Sequence, residues 1–394
     1  MIVLSQFAGT SLWFAANALL PELQRAFSLG PGALPALTSA VQLGFIAGTL
    51  VFAVLSLADR FRPRDVFLAC AVLGALANAA MLLLPQRSGA YPGLLALRFA
   101  TGFFLAGIYP VGMKIAAGWY REGLGRALGW LVGALVLGTA LPHGLKASGQ
   151  SLPWTSVAVA VSLLAAAGGW LMHALVPEGP GHGRAARFDP RAVLRAFASP
   201  DFRASAFGYF GHMWELYTLW AFLPLMLAAY AQRHDTPLDL PLWSFAVIAA
   251  GAIGCVAGGW VSQRWGSARV AFAQLGVSGL CCLLSPLAYA LPSLAFLSFL
   301  LAWGVPVAGD SPQFSAMNAA SAPAAYVGSA LTLVNCLGFA LTVVSVQVLA
   351  ATATWLAPPW WFVPVAIGPA LGLLALRRLV RPVGEKGANQ GRPA

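Results

Sequence analysis

Four ionisable side chains sit inside long apolar stretches: Arg98 and Lys114 in residues 92–119, Glu215 in 204–230 and Asp310 in 294–320. A charge within hydrocarbon costs roughly 2.5–3.5 kcal/mol on insertion scales, so each needs a chemical reason to be there. His212 precedes Glu215 by one helical turn, and that i, i+3 spacing puts both on one face. An imidazole titrates near neutrality, and any carboxyl group holds its proton more tightly when dry than when open to water or paired with a cation. Alternation between such surroundings makes Glu215, His212 and Asp310 candidates for carrying protons, the two acids also for countering a cationic solute. A permanent ion pair or hydrogen bond locking the helices is the plainer alternative for the acids, and a satisfied buried imidazole for His212.

Arg98 and Lys114 are candidate contacts for an anionic solute. They lie about 24 Å apart along one helix, so no small ligand reaches both in one conformation. Lys114 can alternatively extend its ammonium to the membrane interface. The run Gly211-His212-Met213-Trp214-Glu215-Leu216-Tyr217 is the most polar and aromatic patch in any apolar stretch. Tyr109, Tyr217 and Trp220, with Gln313 and Asn335, complete the candidate substrate-binding set, and Trp214 is a further aromatic wall. One His and one Glu without a companion cluster make a poor metal site, and Met213, Met226 and Met317, a conceivable copper path, read as packing. There is no Walker loop, dinucleotide fingerprint or hydrolase triad, so no cofactor, ATP-driven step or enzyme activity is expected.

The elements that must position these residues follow from composition. Hydrophobic residues make up 59% of the 394-residue chain and charged residues 9%, against roughly 25% charged in soluble domains. Too few charges remain to cover a water-exposed surface, so lipid is the solvent. With about 20 apolar residues per crossing, twelve spans fit, near 2–20, 31–58, 65–85, 92–119, 124–146, 153–176, 204–230, 240–262, 269–290, 294–320, 326–353 and 359–377. A β-barrel is excluded by the lack of alternating ten-residue segments. The net charge of +11 is not a nucleic-acid signal. Most of the 23 Lys and Arg fall in loops 2–3, 4–5, 6–7, 8–9 and the C-terminal tail, while the opposite loops hold only Arg25, Arg87, Lys146 and Arg233. That asymmetry places both termini in the cytoplasm and the chain in the inner membrane. Met1 opens directly into span 1, which is expected to be uncleaved, and a native start at Met1 or a few residues upstream is equally open. The five cysteines all lie within spans and read as structural thiols.

Residues 177–203 form the longest loop, Gly/Pro-rich at first and then basic. Its part Asp189-Pro190-Arg191-Ala192-Val193-Leu194-Arg195-Ala196-Phe197 is expected as an amphipathic helix on the membrane surface or as a solvated tether. On either side of it the halves align in register. Pro21 matches Pro224, Ala106-Gly107-Ile108-Tyr109-Pro110 matches Ala308-Gly309-Asp310-Ser311-Pro312, and Gly125-Arg126-Ala127-Leu128 matches Gly328-Ser329-Ala330-Leu331. The expected architecture is an all-α membrane protein with two pseudo-symmetric six-helix bundles, 1–176 and 204–378, and a tail 379–394, holding its solute between the halves.

Loop 2–3, Leu57-Ala58-Asp59-Arg60-Phe61-Arg62-Pro63-Arg64, resembles the loop between spans 2 and 3 of the major facilitator superfamily. Leu55 and Arg62 stand where that motif has glycines. Its echo, Gly259-Trp260-Val261-Ser262-Gln263-Arg264-Trp265-Gly266, keeps both glycines and replaces the aspartate by Gln263. Leu94-x-x-x-Arg98-x-x-x-Gly102 is similar to the span-4 motif of proton-coupled members, whereas the Gly-Pro pair of the antiporter branch is missing from span 5. The resemblance implies the twelve-helix fold, a cavity lined by spans 1, 4, 7 and 10, and a conformational latch formed by Asp59, Arg60, Arg64 and Arg264. Arginines that nitrate porters carry in spans 2 and 8 are lacking, so nitrate is not expected. The function expected is secondary transport of a small organic solute by a monomer, coupled to protons. The alternatives are an efflux antiporter for cationic or amphipathic compounds and a membrane sensor that binds a solute without moving it.

Overall fold

The protein was analysed as a computed structural model, which describes residues 1–120, 124–148, 152–179, 189–323 and 327–380. Backbone polar groups find no water partners in hydrocarbon, so a spanning segment must satisfy them internally as helix. Ten helical segments among the described residues are long and apolar enough to cross a membrane. They are spans 2 (Ala33–Val54), 3 (Pro63–Leu83), 4 (Tyr91–Trp119), 5 (Gly125–Ser148), 6 (Trp154–Leu175), 8 (Leu240–Trp265), 9 (Ser267–Tyr289), 10 (Ser293–Ser321), 11 (Val327–Thr352) and 12 (Pro358–Val380). Two further segments complete the twelve. Span 7 is one helix of 34 residues, Pro200–Arg233, diluted in hydropathy by its polar centre. Span 1 comprises Ile2–Thr10, Ala15–Ala18 and Leu20–Phe27, and so departs from the single helix expected over 2–20.

The packing repeats between halves. Span 2 lies on span 4, 3 on 6, and 1 on 5 and 6; correspondingly span 8 lies on 10, 9 on 12, and 7 on 11 and 12. Glycines set the closest approaches. A Cβ on Gly102 would strike the carbonyl of Val41, and one on Gly254 the carbonyl of Val305, so the Gly254-x-x-x-Gly258 spacing serves helix contact. The halves meet where span 5 lies along span 8 and span 2 along span 11.

Spans 4 and 10 break at the positions that the repeat aligns. Span 4 divides into Tyr91–Leu105 and Tyr109–Trp119, span 10 into Ser293–Gly309 and Ser311–Ser321. Each second piece has a proline in its first turn, Pro110 or Pro312, which lacks the N–H that would continue the ladder. The carbonyl of Ala308, left over in this way, accepts from the Cys255 thiol at 3.2 Å. All five cysteines are free and buried.

Within the long loop a short helix, Ala192–Ala198, precedes span 7. Phe197 packs edge-on against Phe202 and Phe207 of span 7, and Arg203 donates to the carbonyls of Phe197 and Ala198. Leu194 is exposed. Arg184 and Arg187 of that loop and tail residues 381–394 lie outside the described residues.

Candidate functional site

Span 7 carries the centre of the site because its two polar faces point different ways. His212 turns toward the break in span 10, where its Nδ1 stands 2.7 Å from Asp310 Oδ1 with both side chains wholly buried. Glu215, 1% exposed, turns toward span 9. There Cys282 Sγ donates to Glu215 Oε2 at 3.6 Å, and Trp303 of span 10 donates to Ser278 nearby. The partner of His212 is therefore Asp310, not Glu215 as the i, i+3 spacing suggests. Both ring nitrogens of His212, both Asp310 oxygens and Glu215 Oε1 lack hydrogen-bond geometry among the described residues, so the 2.7 Å approach of His212 to Asp310 is a close contact and not an aligned hydrogen bond. Two carboxyl groups and one imidazole thus occupy the dry interior of the second half. No three His, Cys, Asp or Glu side chains converge on a metal position among the described residues.

Beside this interior lies a cavity between the halves. Its walls include Tyr109 and Val136 of the first half, and Tyr209, Met213, Tyr217, Trp220, Ser311, Asn335 and Phe339 of the second. The space open to a water-sized sphere is about 20 Å³, enough for about one water. Ala308 and Ser311, the residues flanking the Gly309-Asp310 break, both line it. Tyr209 donates to Asn335 Oδ1 at 2.6 Å. Toward the loop 2–3 end Ser311, Ser315 and Asn335 are half-buried. Toward the opposite end the cavity is roofed by a cluster of rings. Trp13 stacks on Phe339 at 5.5 Å between centroids and packs on Phe45 and Tyr217, while Phe14 lies edge-on to Trp220 at 6.1 Å. Nearer that end, Gln347 Nε2 donates to Ser39 Oγ at 2.9 Å and to the carbonyl of Pro35 at 3.3 Å.

The two membrane cations stand elsewhere. Arg98, wholly buried in the first half, donates to the carbonyls of Leu12 and Trp13 at 3.2 and 2.6 Å and to Asn78 Oδ1 at 3.2 Å. Those carbonyls belong to the break in span 1, so Arg98 holds the turn that presents Trp13 and Phe14 to the second half. Lys114 Nζ reaches loop 2–3, donating to the carbonyl of Ala58 at 2.8 Å and pairing with Asp59 Oδ1 at 2.5 Å. Neither is among the residues that line the cavity. Gln313, 1% exposed, lies behind the cavity wall near Gly258, and Trp214 turns outward against Gly368 of span 12. Tyr109, Tyr217, Trp220 and Asn335 do line the cavity.

Loop 2–3 is tied mainly to its own half. Besides Asp59 with Lys114, Arg62 pairs with Glu178 at 3.4 Å, His173 approaches Asp65 at 2.9 Å and Arg64 lies 4.0 Å from Asp65. Arg60 and Arg264 are exposed. Next to Arg264's helix end, Arg126 of span 5 lies over the Trp260 ring at 4.9 Å.

Residues overlooked in the sequence are Tyr209, Phe339 and the Trp13-Phe14 pair, and Met213 is read there only as packing. Tyr209, Met213 and Tyr217 form an i, i+4, i+8 stripe, which is a readable signal. Trp13 and Phe14 have none, because their exposure to the second half depends on the break. Arg98→Leu removes donors from buried carbonyls and is expected to cost about 3 kcal/mol. The thermal unfolding midpoint of purified protein should fall by several degrees, and by less in Asn78→Ala.

The Major Facilitator Superfamily model matches residues 2–346. Among solved structures, the human organic anion transporter MFSD10 (TETRAN) matches with a TM-score of 0.68 at 18% identity, over 95% of this chain and 98% of that one. The proton:xylose symporter XylE, solved with 6-bromo-6-deoxy-D-glucose, matches with a TM-score of 0.72 at 13% identity, over 96% of this chain and 95% of that one. No curated relative matches the sequence. At such identities the structural likeness speaks for the fold alone.

Proposed function

Since this chain belongs to the Major Facilitator Superfamily and is a membrane transporter, not an enzyme, we propose that it moves a small organic solute by alternating access and couples that movement to protons. One observation carries the coupling: the wholly buried His212–Asp310 pair sits at the break of span 10, whose flanking residues Ala308 and Ser311 line the cavity. A change in cavity shape therefore displaces the backbone that holds the acid. Desolvation, ion pairing and hydrogen bonding are the factors that set a carboxyl group's hold on its proton, and such a displacement alters all of them. Glu215, in the same dry interior, is the second group in the relay. Sodium is disfavoured, as nothing in the sequence reads as a carbonyl-and-carboxylate site.

The rest of the reading follows the basic loops. The loop 2–3 end faces the cytoplasm with both termini, in the inner membrane, and the chain works as a monomer whose bundles 1–176 and 204–378 rock about the cavity. Asp59 paired with Lys114, together with Arg60, Arg64 and Arg264, forms the latch region at that end. The described state is then closed outward by the Trp13–Phe339 ring cluster. Because Arg98 and Lys114 are engaged elsewhere, the support they lend to an anionic solute falls away. A second reading, export of an amphipathic compound against protons, is favoured by the aromatic walls and uses the same interior.

Proteoliposomes with an imposed pH gradient test the proposal against a panel of neutral, cationic and anionic organic solutes. Accumulation that follows the gradient and collapses with a protonophore is expected. Its sign relative to the gradient separates symport from antiport, and transport indifferent to the gradient would overturn proton coupling.

A further inference from the structure

A second hollow lies at the end of the molecule that carries the basic loops. Five spans reach it with their ends: span 1 with residues 1–3, span 4 with Trp119, span 5 with Arg126 and Trp130, span 6 and its exit with residues 175–177, and span 8 with Trp260. The space open to a water-sized sphere is about 540 Å³, against about 20 Å³ between the halves. Trp119, Trp130, Leu175 and Trp260 are exposed along its walls, so the groove opens sideways to lipid. Indole rings favour the level of the lipid headgroups. Three of them among the ends of five spans put the groove where headgroup meets acyl chain. Arg126 is the charged side chain of the lining, and no carboxylate lines the groove among the described residues. It lies over the Trp260 ring at 4.9 Å, a face that attracts a cation but brings no net negative charge. Trp130, four residues on, shares its helix face about 6 Å deeper in the membrane.

From this we propose that the groove binds one anionic phospholipid, with the phosphate on Arg126 and the acyl chains against Trp130 and Leu175. The inference goes beyond the transport reading and does not depend on it. A guanidinium presents its N–H donors as a planar fork that fits a phosphate with paired bonds. A zwitterionic headgroup brings the same phosphate together with an ammonium, for which the groove has no carboxylate. Basic pockets between spans at the membrane surface are the places where anionic headgroups are drawn. A free phosphate ion would reach Arg126 and leave the apolar walls below it uncovered, whereas a lipid occupies both. Trp260 belongs to the second half and the other walls to the first, so a lipid seated there touches both halves.

Photolabelling in phosphatidylcholine vesicles tests the site. The full chain is reconstituted with a trace of phosphatidylglycerol carrying a diazirine near the glycerol end of one acyl chain. After irradiation the adducts are mapped by peptide mass spectrometry. They are expected within residues 126–131 and on residues 1–3 or 175–177. Unlabelled phosphatidylglycerol mixed into the vesicle should suppress them at least about fivefold more effectively than the same amount of phosphatidylethanolamine, the weight of one basic side chain at a membrane surface. Arg126→Gln should lower labelling of the groove about fivefold. Arg269→Gln removes an exposed cation from the first turn of span 9, at the same membrane end but outside the lining, and should leave the labelling unchanged. Unfolding midpoints verify that both variants are folded, and the adduct map and the competition are read on wild type alone. Adducts only outside the groove, equal suppression by the two lipids, undiminished labelling of folded Arg126→Gln, or an equal fall in Arg269→Gln would each overturn the proposal. Suppression by excess inorganic phosphate would assign the site to the free anion and overturn the lipid as well. Neither solute nor pH gradient is present, so this site and the transport reading can each fail without the other.

Discussion

Asp310→Asn should reduce proton-driven solute accumulation by about 10²-fold or more, the scale on which positioned acid–base groups act, while solute exchange across the membrane persists. The asparagine keeps the size of the side chain and the first-turn geometry of Ser311–Ser321, but it cannot take up or release a proton. His212 loses the carboxylate that stands 2.7 Å from its Nδ1, so the pair no longer changes protonation when the break in span 10 shifts. Accumulation and counterflow measured in the same proteoliposomes distinguish loss of coupling from loss of the carrier. Accumulation at the wild-type level would remove Asp310 from the relay.

The second large effect concerns the closed end. Ser39 and Gln347 come from different halves and meet in a hydrogen bond of 2.9 Å, so cysteines there lie within the reach of a short bis(methanethiosulfonate) reagent when the halves are together. Cross-linking of Ser39→Cys/Gln347→Cys by that reagent is expected to bring transport to background, and a reductant to restore it. The native cysteines are all buried within the bundles, which directs the reagent to the introduced pair. Full transport by a demonstrably cross-linked protein would contradict rocking of the halves about this contact.

Much of the fold is legible because lipid imposes a simple rule: about 20 apolar residues per crossing, with positive charge gathered on one side. The repeat is also legible, and the breaks at Ile108 and Asp310 follow from aligned prolines whose missing N–H is a local property. The break in span 1 is not. Residues 11–14 are Ser-Leu-Trp-Phe, apolar after Ser11 and without Pro or Gly, and their freed carbonyls are tolerated because Arg98, far along the chain, donates to two of them. The same long-range contact hides the role of Arg98. Its burial is readable as an expensive charge, but only the fold shows that the charge serves a backbone and not a solute. His212 is a milder case. Helical spacing names Glu215 as a neighbour, yet a helix with buried faces on several sides sends residues three apart to different partners, span 10 for one and span 9 for the other. Lys114 reaching Asp59 likewise joins two residues singled out for separate roles, because a long flexible stem ends where the neighbouring loop begins.

The central claim is that the interior holding His212, Asp310 and Glu215 trades protons against the solute. Its most direct test is the proton count on binding: purified protein in weakly buffered detergent, a pH indicator, and successive additions, to wild type, Asp310→Asn and Glu215→Gln, of a solute that the proteoliposomes accumulate. The account predicts a solute-dependent proton signal in wild type that disappears in Asp310→Asn and is reduced in Glu215→Gln, with the variants still binding. Solute binding with no proton signal in wild type, or with an identical signal in all three, would contradict it.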